Sequence, residues 1–200
     1  MKAPKLLMVL VILCVAAGAF AQQGPGLSIF TGYAMTAFEN QSDAAGTLPV
    51  GVRLSANLTS KIDIGAEFFY PIGGYTFETT YANAGEPSYK EKRTFELMFA
   101  GLMTKITPIK GNLAPYAKVG VGMYLGNGEI ETEYVGLPDK KKNNFDMDSA
   151  LGFNVGGGFT LPFPLFIEYN YHIISRDYKN SEESLDMNFW DILVGYTLSL

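Results

Sequence analysis

His172 is the only histidine in this 200-residue chain, and Ser175 follows three positions later. A histidine, a serine and an acidic side chain can together activate a hydroxyl nucleophile. In a β-strand, however, side chains three positions apart point to opposite faces, so catalysis by this pair requires a bulge. A single histidine also rules out a metal site built from several histidines. These residues therefore favour a protein that is not an enzyme and that needs no metal or cofactor.

Two further groups of charged residues have the chemistry to bind ions. Asp146 and Asp148 could hold a divalent cation together with loop carbonyl groups, although acidic side chains at a solvated rim are the commoner case. Lys140, Lys141 and Lys142 lie in a predicted polar loop, where they either meet an anion or face water. In both groups the solvated interpretation is favoured.

The N-terminal segment has the form of a secretory signal peptide. Lys2 and Lys5 precede an apolar stretch over residues 6–20, and residues 19–21 form an A-x-A cleavage site. This stretch is too short for a membrane-spanning helix. We therefore expect residues 1–21 to be removed and residues 22–200 to form one domain. Cys14, the only cysteine, lies within the leader, so this domain should contain no disulfide.

The net charge limits the possible partners. The whole chain carries −5 at pH 7, and loss of the two leader lysines makes the remaining domain more acidic. Nucleic-acid binding needs a basic face, so we expect no nucleic-acid partner.

The domain alternates between apolar and small or polar residues in eight stretches. Alternation at period two indicates β-strands whose two faces meet different surroundings. The predicted strands are residues 27–37, 50–58, 62–70, 94–104, 115–125, 147–160, 165–173 and 188–200. Between them, short turns alternate with longer polar loops at 40–47, 82–87, 127–144 and 176–185. An even strand number with short turns at one end and long loops at the other is typical of bacterial outer-membrane barrels.

This pattern predicts an all-β fold, an eight-stranded antiparallel up-and-down transmembrane β-barrel. Its aliphatic face should meet lipid, and its glycine-rich polar face should line a small hydrated interior. For the strand over 94–104, this rule places Phe95, Leu97, Phe99 and Met103 outside and Glu96 inside. Pro71 and the glycines at 73 and 74 predict a bend, after which residues 75–81 alternate again.

Charged residues on the predicted inner face should form a polar network. Its members are Arg53, Asp63, Glu67, Glu96, Lys118, Glu168, His172 and Asp191. Eight strands enclose only enough space for side chains, where an isolated charge is prohibitively costly. Arg53 should therefore pair with Glu67, and Lys118 with Glu96 or Glu168. A closed polar plug is the favoured interpretation, and a gated ion path is the alternative.

Aromatic residues on the predicted outer face should form two girdles at the membrane interfaces. They include Tyr33, Phe68, Tyr70, Tyr169, Tyr171, Trp190 and Tyr196.

The chain resembles the small outer-membrane β-barrel family that includes the OmpA transmembrane domain, OmpX and opacity-type surface proteins. The resemblance covers residues 22–200 and rests on the architecture and on the stretches PYAKVGVG at 115–122 and FIEYNY at 166–171. It implies a bacterial outer-membrane location, with extracellular loops and periplasmic termini. Tyr196, Leu198 and Leu200 match the family's C-terminal assembly signal, with Leu200 where the family usually has an aromatic residue.

The expected function is a non-enzymatic structural or adhesion-like role through the extracellular loops. The expected partners are outer-membrane lipid or lipopolysaccharide, the barrel-assembly machinery and an extracellular ligand. A narrow ion or solute pore is the alternative, and a lipid-modifying enzyme that uses His172 is less favoured.

Overall fold

The structure, a computed structural model, describes residues 25–36, 45–82, 88–134, 140–177, 184–186 and 188–200. The predicted signal peptide, residues 1–21, lies outside the described residues. Across the described ranges, no helix is long and apolar enough to cross a membrane.

The described chain is built from antiparallel β-strands. In chain order they are β1 Gly26–Thr36, β2 Ala45–Asn57, β3 Ile62–Ile72, β4 Tyr75–Tyr81, β5 Tyr89–Ile106, β6 Ala114–Tyr134, β7 Lys140–Thr160, β8 Leu165–Asp177, β9 Ser184–Asp186 and β10 Phe189–Ser199.

Eight of these strands close into a ring. Neighbours along the chain pair in the order β1, β2, β3, β5, β6, β7, β8 and β10, and β10 returns to β1 from Gly26 opposite Ser199 to Thr36 opposite Phe189. Closure leaves no strand edge in the wall, which lipid requires because it offers no hydrogen-bond partner for the backbone. The prediction of an eight-stranded antiparallel barrel is confirmed.

Side chains alternate between the two faces of this wall. Large apolar residues such as Ile29, Leu102, Val121, Phe153 and Val194 are exposed on the outside, whereas charged residues of the neighbouring rows are buried. The alternation therefore distributes side chains on most strands as predicted.

The predicted phase of β5 is wrong. The structure buries Phe95, Leu97, Phe99 and Met103 inside the barrel and leaves Glu96 on the outer, partly exposed face.

Register with the neighbouring strand explains this reversal. β5 is apolar in both phases, so its alternation carries little information, whereas Phe69 of β3 faces Phe99 and Glu67 faces Gly101. Phe69 and Glu67 are buried, and their direct neighbours on β5 must point the same way. Leu102 therefore faces outwards.

Three strands continue well past the ring. β6 and β7 each have 21 residues and β5 has 18, against the roughly 9–11 that cross a membrane. Gly73 and Gly74 have positive φ and separate β3 from β4, which pairs with β5 from Tyr75 to Tyr81. β4 and residues 89–95, 126–134 and 140–147 thus form a four-stranded sheet, which we name the extension.

The extension corrects the loop predicted at 127–144. Most of that stretch is strand, and Lys140, Lys141 and Lys142 begin β7 instead of lying at a loop tip. Glutamates at every second position, 129, 131 and 133, are the strand signal in the sequence, but the surrounding stretch is mostly polar and so resembles a loop.

The two ends of the barrel differ. Short turns at 58–61, 107–113 and 161–164 gather at one end, where Thr197 donates its backbone N–H to Pro164 and Leu200 donates to Pro25. We name this the short-turn end. The extension rises at the opposite end.

Candidate functional site

Four charged side chains meet inside the barrel, and we name them the ionic quartet: Arg53, Glu67, Lys118 and Glu168. Arg53 Nε donates to Glu67 Oε2 at 2.6 Å, and its Nη1 and Nη2 donate to Glu168 at 3.0 and 2.7 Å. Lys118 Nζ contacts Glu168 Oε1 at 2.6 Å and donates to Glu67 at 3.1 Å. All four are almost completely buried. Two cations and two carboxylates balance, which makes burial of these charges tolerable.

Aromatic residues also contact the Arg53 guanidinium. Its Cζ lies 5.4 Å from the ring centre of Phe30 and 5.2 Å from that of Phe166. A Cβ at Gly51 or Gly195 would overlap one of these rings, so glycine is needed at both positions. Together with its ion pairs, this arrangement leaves the Arg53 side chain one position to occupy.

A second polar layer adjoins the quartet on β8 and β10. Asn170 Nδ2 donates to Glu168 Oε1 at 3.0 Å and to Asp191 Oδ1 at 2.7 Å. Asp191 Oδ2 is 2.9 Å from His172 Nε2, and His172 Nδ1 is 2.7 Å from the Tyr124 hydroxyl. The hydrogen bonds thus run without interruption from the quartet to Tyr124.

His172 is enclosed rather than accessible. Its ring stacks on Phe189 with centroids 4.1 Å apart and an interplanar angle of 8°, and its side chain is fully buried. A reacting molecule cannot reach this imidazole in the described arrangement. The side chain of Ser175, the proposed partner in catalysis, lies outside what the structure describes.

An aromatic layer closes the interior on the extension side of His172. Phe69 and Phe99 stack at 5.7 Å, and Tyr75 and Tyr124 pack on Phe189 at 5.7 and 6.2 Å. This layer was not predicted, because the aliphatic and aromatic residues of β5 were expected to face lipid. The interior is therefore half polar network and half packed aromatic core, not a hydrated lumen throughout.

Two predicted members of the network lie elsewhere. Asp63 accepts from Lys105 at 2.7 Å, and both side chains remain partly exposed near the short-turn end. Glu96 is on the outer face, so the predicted interior position is wrong, and Lys118 pairs with Glu67 and Glu168 instead. The other six residues form one connected group.

Outer-face aromatic residues occupy both halves of the wall. Trp190 contacts Tyr33 at 6.4 Å and stacks on Tyr169 at 6.3 Å, with Tyr171 opposite it in register. Phe68 and Tyr70 also point outwards, on β3. Tyr196 lies nearer the short-turn end. Whether these residues form interfacial girdles in lipid stays a prediction.

The last strand presents its predicted assembly signal on the outer face. Tyr196, Leu198 and Leu200 are 45, 43 and 67% exposed. Recognition of these three residues by the barrel-assembly machinery remains a prediction.

The outer face of the extension carries charges whose sign alternates from strand to strand. One row is Glu78, Lys92, Glu131 and Lys142, each opposite the next in register. Lys142 Nζ donates to Glu129 at 2.8 Å and contacts Glu131 at 3.1 Å, while Lys140 contacts Glu131 at 3.0 Å and Glu133 at 3.1 Å. We name this surface the charge ladder. Lys140 and Lys142 are therefore paired with carboxylates rather than free at a loop tip.

The charge ladder should make the extension sensitive to pH. Hydrogen bonds from Lys140 and Lys142 lower the pKa of Glu131, and hydrogen bonds from Glu131 and its neighbours raise the pKa of both lysines. Because the Glu131 pKa is lowered, the ionised carboxylate stabilises the sheet at pH values above the ordinary carboxyl range, and this stabilisation is lost in acid. Because the pKa values of Lys140 and Lys142 are raised, the protonated lysines stabilise the sheet at pH values below the ordinary ammonium range, and this stabilisation is lost in base.

We therefore expect amide-exchange protection of residues 129–133 and 140–142 to be greatest between about pH 5 and 10, and to decrease outside that range or in high salt. Exchange corrected for its intrinsic pH dependence measures this, with residues 118–122 of the ring as the reference. Glu131→Gln should remove most of the acid-side change. An unchanged acid response in that variant would show that another group is responsible.

Among the described side chains, no group of three or more His, Cys, Asp or Glu residues is arranged to hold a metal ion. The side chains of Asp146 and Asp148, the candidate cation ligands, lie outside the described part.

Comparisons with known proteins agree with this architecture. Ail from Yersinia pestis in complex with the heparin analogue sucrose octasulfate has a TM-score of 0.52 at 14% identity, covering 88% of this chain and 100% of that one. Neisserial surface protein A has a TM-score of 0.53 at 11% identity, covering 89% and 98%. At these identities the likeness concerns the fold alone. No curated protein sequence matches the chain.

One family covers nearly the whole sequence. Residues 7–197 match the family described as outer membrane protein beta-barrel domain. This match agrees with the closed eight-stranded ring and with its apolar outer wall. The chain therefore belongs to the outer-membrane protein β-barrel domain family.

Proposed function

We propose that this protein is a non-enzymatic outer-membrane barrel whose extension meets partners outside the cell. The observation that carries the proposal is the contrast between a closed interior and three strands that run far beyond the wall. β6 and β7 have about twice the residues needed to cross a membrane, so about half of each is available for contact. A structural barrel alone would not need this sheet.

In this proposal the extension faces the outside of the cell, and residues 25 and 200 face the periplasm. The barrel-assembly machinery inserts the chain by recognising Tyr196, Leu198 and Leu200. Short turns on the periplasmic side and long connections outside are the usual arrangement in this class of barrel.

The charge ladder supports a role in surface contact. Its lysines are exposed, with Lys140 at 51% and Lys142 at 56% for the side chain. A surface with both signs gives partners specific charge pairs rather than general attraction. The extracellular partner is an anionic host-surface polymer or lipopolysaccharide, and Ail, with the same barrel fold, is named as an attachment and invasion protein with a bound heparin analogue.

The interior argues against the two alternatives. A pore would require ions to pass both the ionic quartet and the aromatic layer, where side chains fill the space. A lipid-modifying enzyme would need an accessible base, and His172 is fully buried.

Trimming the extension tests the proposal. Phe77 can be joined to Arg93, and Gly128 to Phe145, by short turns, because each pair lies opposite in register. Cells that display the trimmed barrel should lose the binding to heparin-coated, matrix-coated or lipopolysaccharide-coated surfaces that the full chain confers. The measurement is the number of retained cells at equal surface expression.

The matched control exchanges residues 107–113 at the short-turn end for an unrelated turn of equal length. This variant should bind like the full chain. If the trimmed barrel binds as well as the full chain, or if the full chain itself retains no cells on any of these surfaces, the proposed role is wrong.

A further inference from the structure

An apolar groove of about 550 Å³ crosses the outer wall over β3, β2, β1, β10 and β8. One side of it is a single row of register partners that runs from Tyr70 through Val50 and Thr31 to Val194. The middle of this row has the short side chains of Val50 and Thr31, which leave a shallow, open depression between it and the neighbouring row.

The other side is the next outer row, which runs from Phe68 through Val52 and Ile29 to Tyr196 and Leu165. Between the two rows lies the backbone at Gly51 and Gly195. A Cβ at either position would point into the barrel, towards Phe30 or Phe166, so the floor of the groove is backbone.

The lining of the groove is almost entirely apolar. The Thr31 hydroxyl donates to the backbone oxygen of Pro49 at 2.9 Å, and the remaining lining is aliphatic or aromatic apart from the tyrosine hydroxyls. A long, unbranched hydrocarbon fits such a lining, whereas a sugar or a peptide would leave its polar groups unpaired.

The dimensions fit one lipid chain. Four inter-strand steps from β3 to β8 span about 19 Å, and strands tilted by about 40° incline the rows so that the groove rises about 12 Å along the membrane normal. One leaflet of the hydrocarbon core is about 15 Å thick. A single acyl chain lying in the groove would therefore stay within one leaflet.

Position indicates which leaflet supplies the chain. The groove ends at Leu165, the first residue of β8, directly after the turn at 161–164. The lipid headgroup therefore lies at the short-turn end, which is the periplasmic side in the orientation proposed above. We propose that this groove is a specific site for one acyl chain of an inner-leaflet phospholipid, held longer than the lipids on the rest of the wall.

Photolabelling of the full chain in bilayers of phosphatidylethanolamine and phosphatidylglycerol tests this site. The probe is a trace of phospholipid with a diazirine on one acyl chain, and adducts are mapped by mass spectrometry. Peptides that contain residues 29–31, 50–52 and 194–196 should be labelled several-fold more than those around Phe153 and Val155 of β7. Equal labelling around the barrel would reduce the groove to ordinary lipid contact and overturn the proposal.

Filling the groove provides the matched comparison. Val52→Phe and, separately, Val194→Phe should each abolish the enrichment, whereas Val155→Phe, an equally exposed outer position on β7, should leave it unchanged. Heat-modifiable gel migration verifies that all three variants fold. The trimmed barrel should be labelled like the full chain, because the groove does not depend on the role of the extension. Intermolecular cross-links across the groove in place of lipid adducts would instead identify a second copy as its occupant and overturn the lipid assignment.

Discussion

Replacing Arg53 by alanine should lower the free energy of unfolding by about 3–5 kcal/mol, the usual cost of removing one partner from a buried ion-pair network. Lys118 would be left to balance both Glu67 and Glu168, with which it makes contacts of 3.1 and 2.6 Å. The cation contacts with Phe30 and Phe166 would also be lost. Urea titration of the barrel in lipid vesicles measures the change.

A double variant separates charge imbalance from loss of packing. Arg53→Met with Glu67→Gln keeps the approximate volume and leaves Lys118 and Glu168 as one balanced pair. It should be more stable than Arg53→Ala alone, because no unbalanced charge remains in the interior and the stability effects of contacting residues are not additive. Arg93→Ala, which breaks a partly exposed pair with Glu91, should cost no more than about 1 kcal/mol. If the double variant lost as much stability as Arg53→Met and Glu67→Gln lose separately, added together, the quartet would not act as a unit.

Arg53→Ala also distinguishes the closed polar plug from the alternative of an ion-conducting pore. The wild-type protein in a planar bilayer should pass no steady current, and Arg53→Ala should remain closed because the aromatic layer around Phe99 and Phe189 persists. A wild-type current that changes with Arg53→Ala would support the ion path instead.

The hairpin of β2 and β3 illustrates what the sequence could predict. Residues 53 and 67 lie at equal distances from Ser60 within the turn, and both strands alternate strictly, so the facing positions of Arg53 and Glu67 follow from counting. Strand number and closure follow from the same periodicity repeated along the chain. One buried face per strand is enough to determine which way each side chain points.

Alternation alone does not determine the phase of a strand whose two faces are both apolar. β5 reads Leu97, Met98, Phe99 and Ala100, so only contact with Phe69 and Glu67 on β3 determines its phase. The rule that polar residues face inwards also misses a barrel interior that is partly aromatic, as around His172. Long-range partners such as Glu168 for Arg53, 115 positions apart, depend on closure of the ring and cannot be counted along one hairpin.

Substitution of Gly122 by valine should prevent the barrel from folding or reduce its stability by about 3 kcal/mol or more, at the upper end of overpacking costs. Gly101, Gly122 and Gly152 lie side by side in register on β5, β6 and β7. A Cβ on Gly122 would lie 2.5 Å from the backbone oxygen of Ala100 and from Gly101 Cα, and 2.7 Å from the ring of Phe99. Loss of the heat-modifiable band on a detergent gel reports the failure.

The source of this cost can be tested, because two different neighbours crowd Gly122. The Phe99 ring can move or be removed, whereas the backbone at Ala100 and Gly101 is fixed by its pairing in the wall. Phe99→Ala combined with Gly122→Val should therefore be at least as unstable as Gly122→Val alone, because the buried Phe99 ring is lost as well. The neighbouring outer-face substitution Val121→Leu should fold normally. Rescue by Phe99→Ala would mean that the aromatic layer, and not the close approach of the strands, requires glycine at this position.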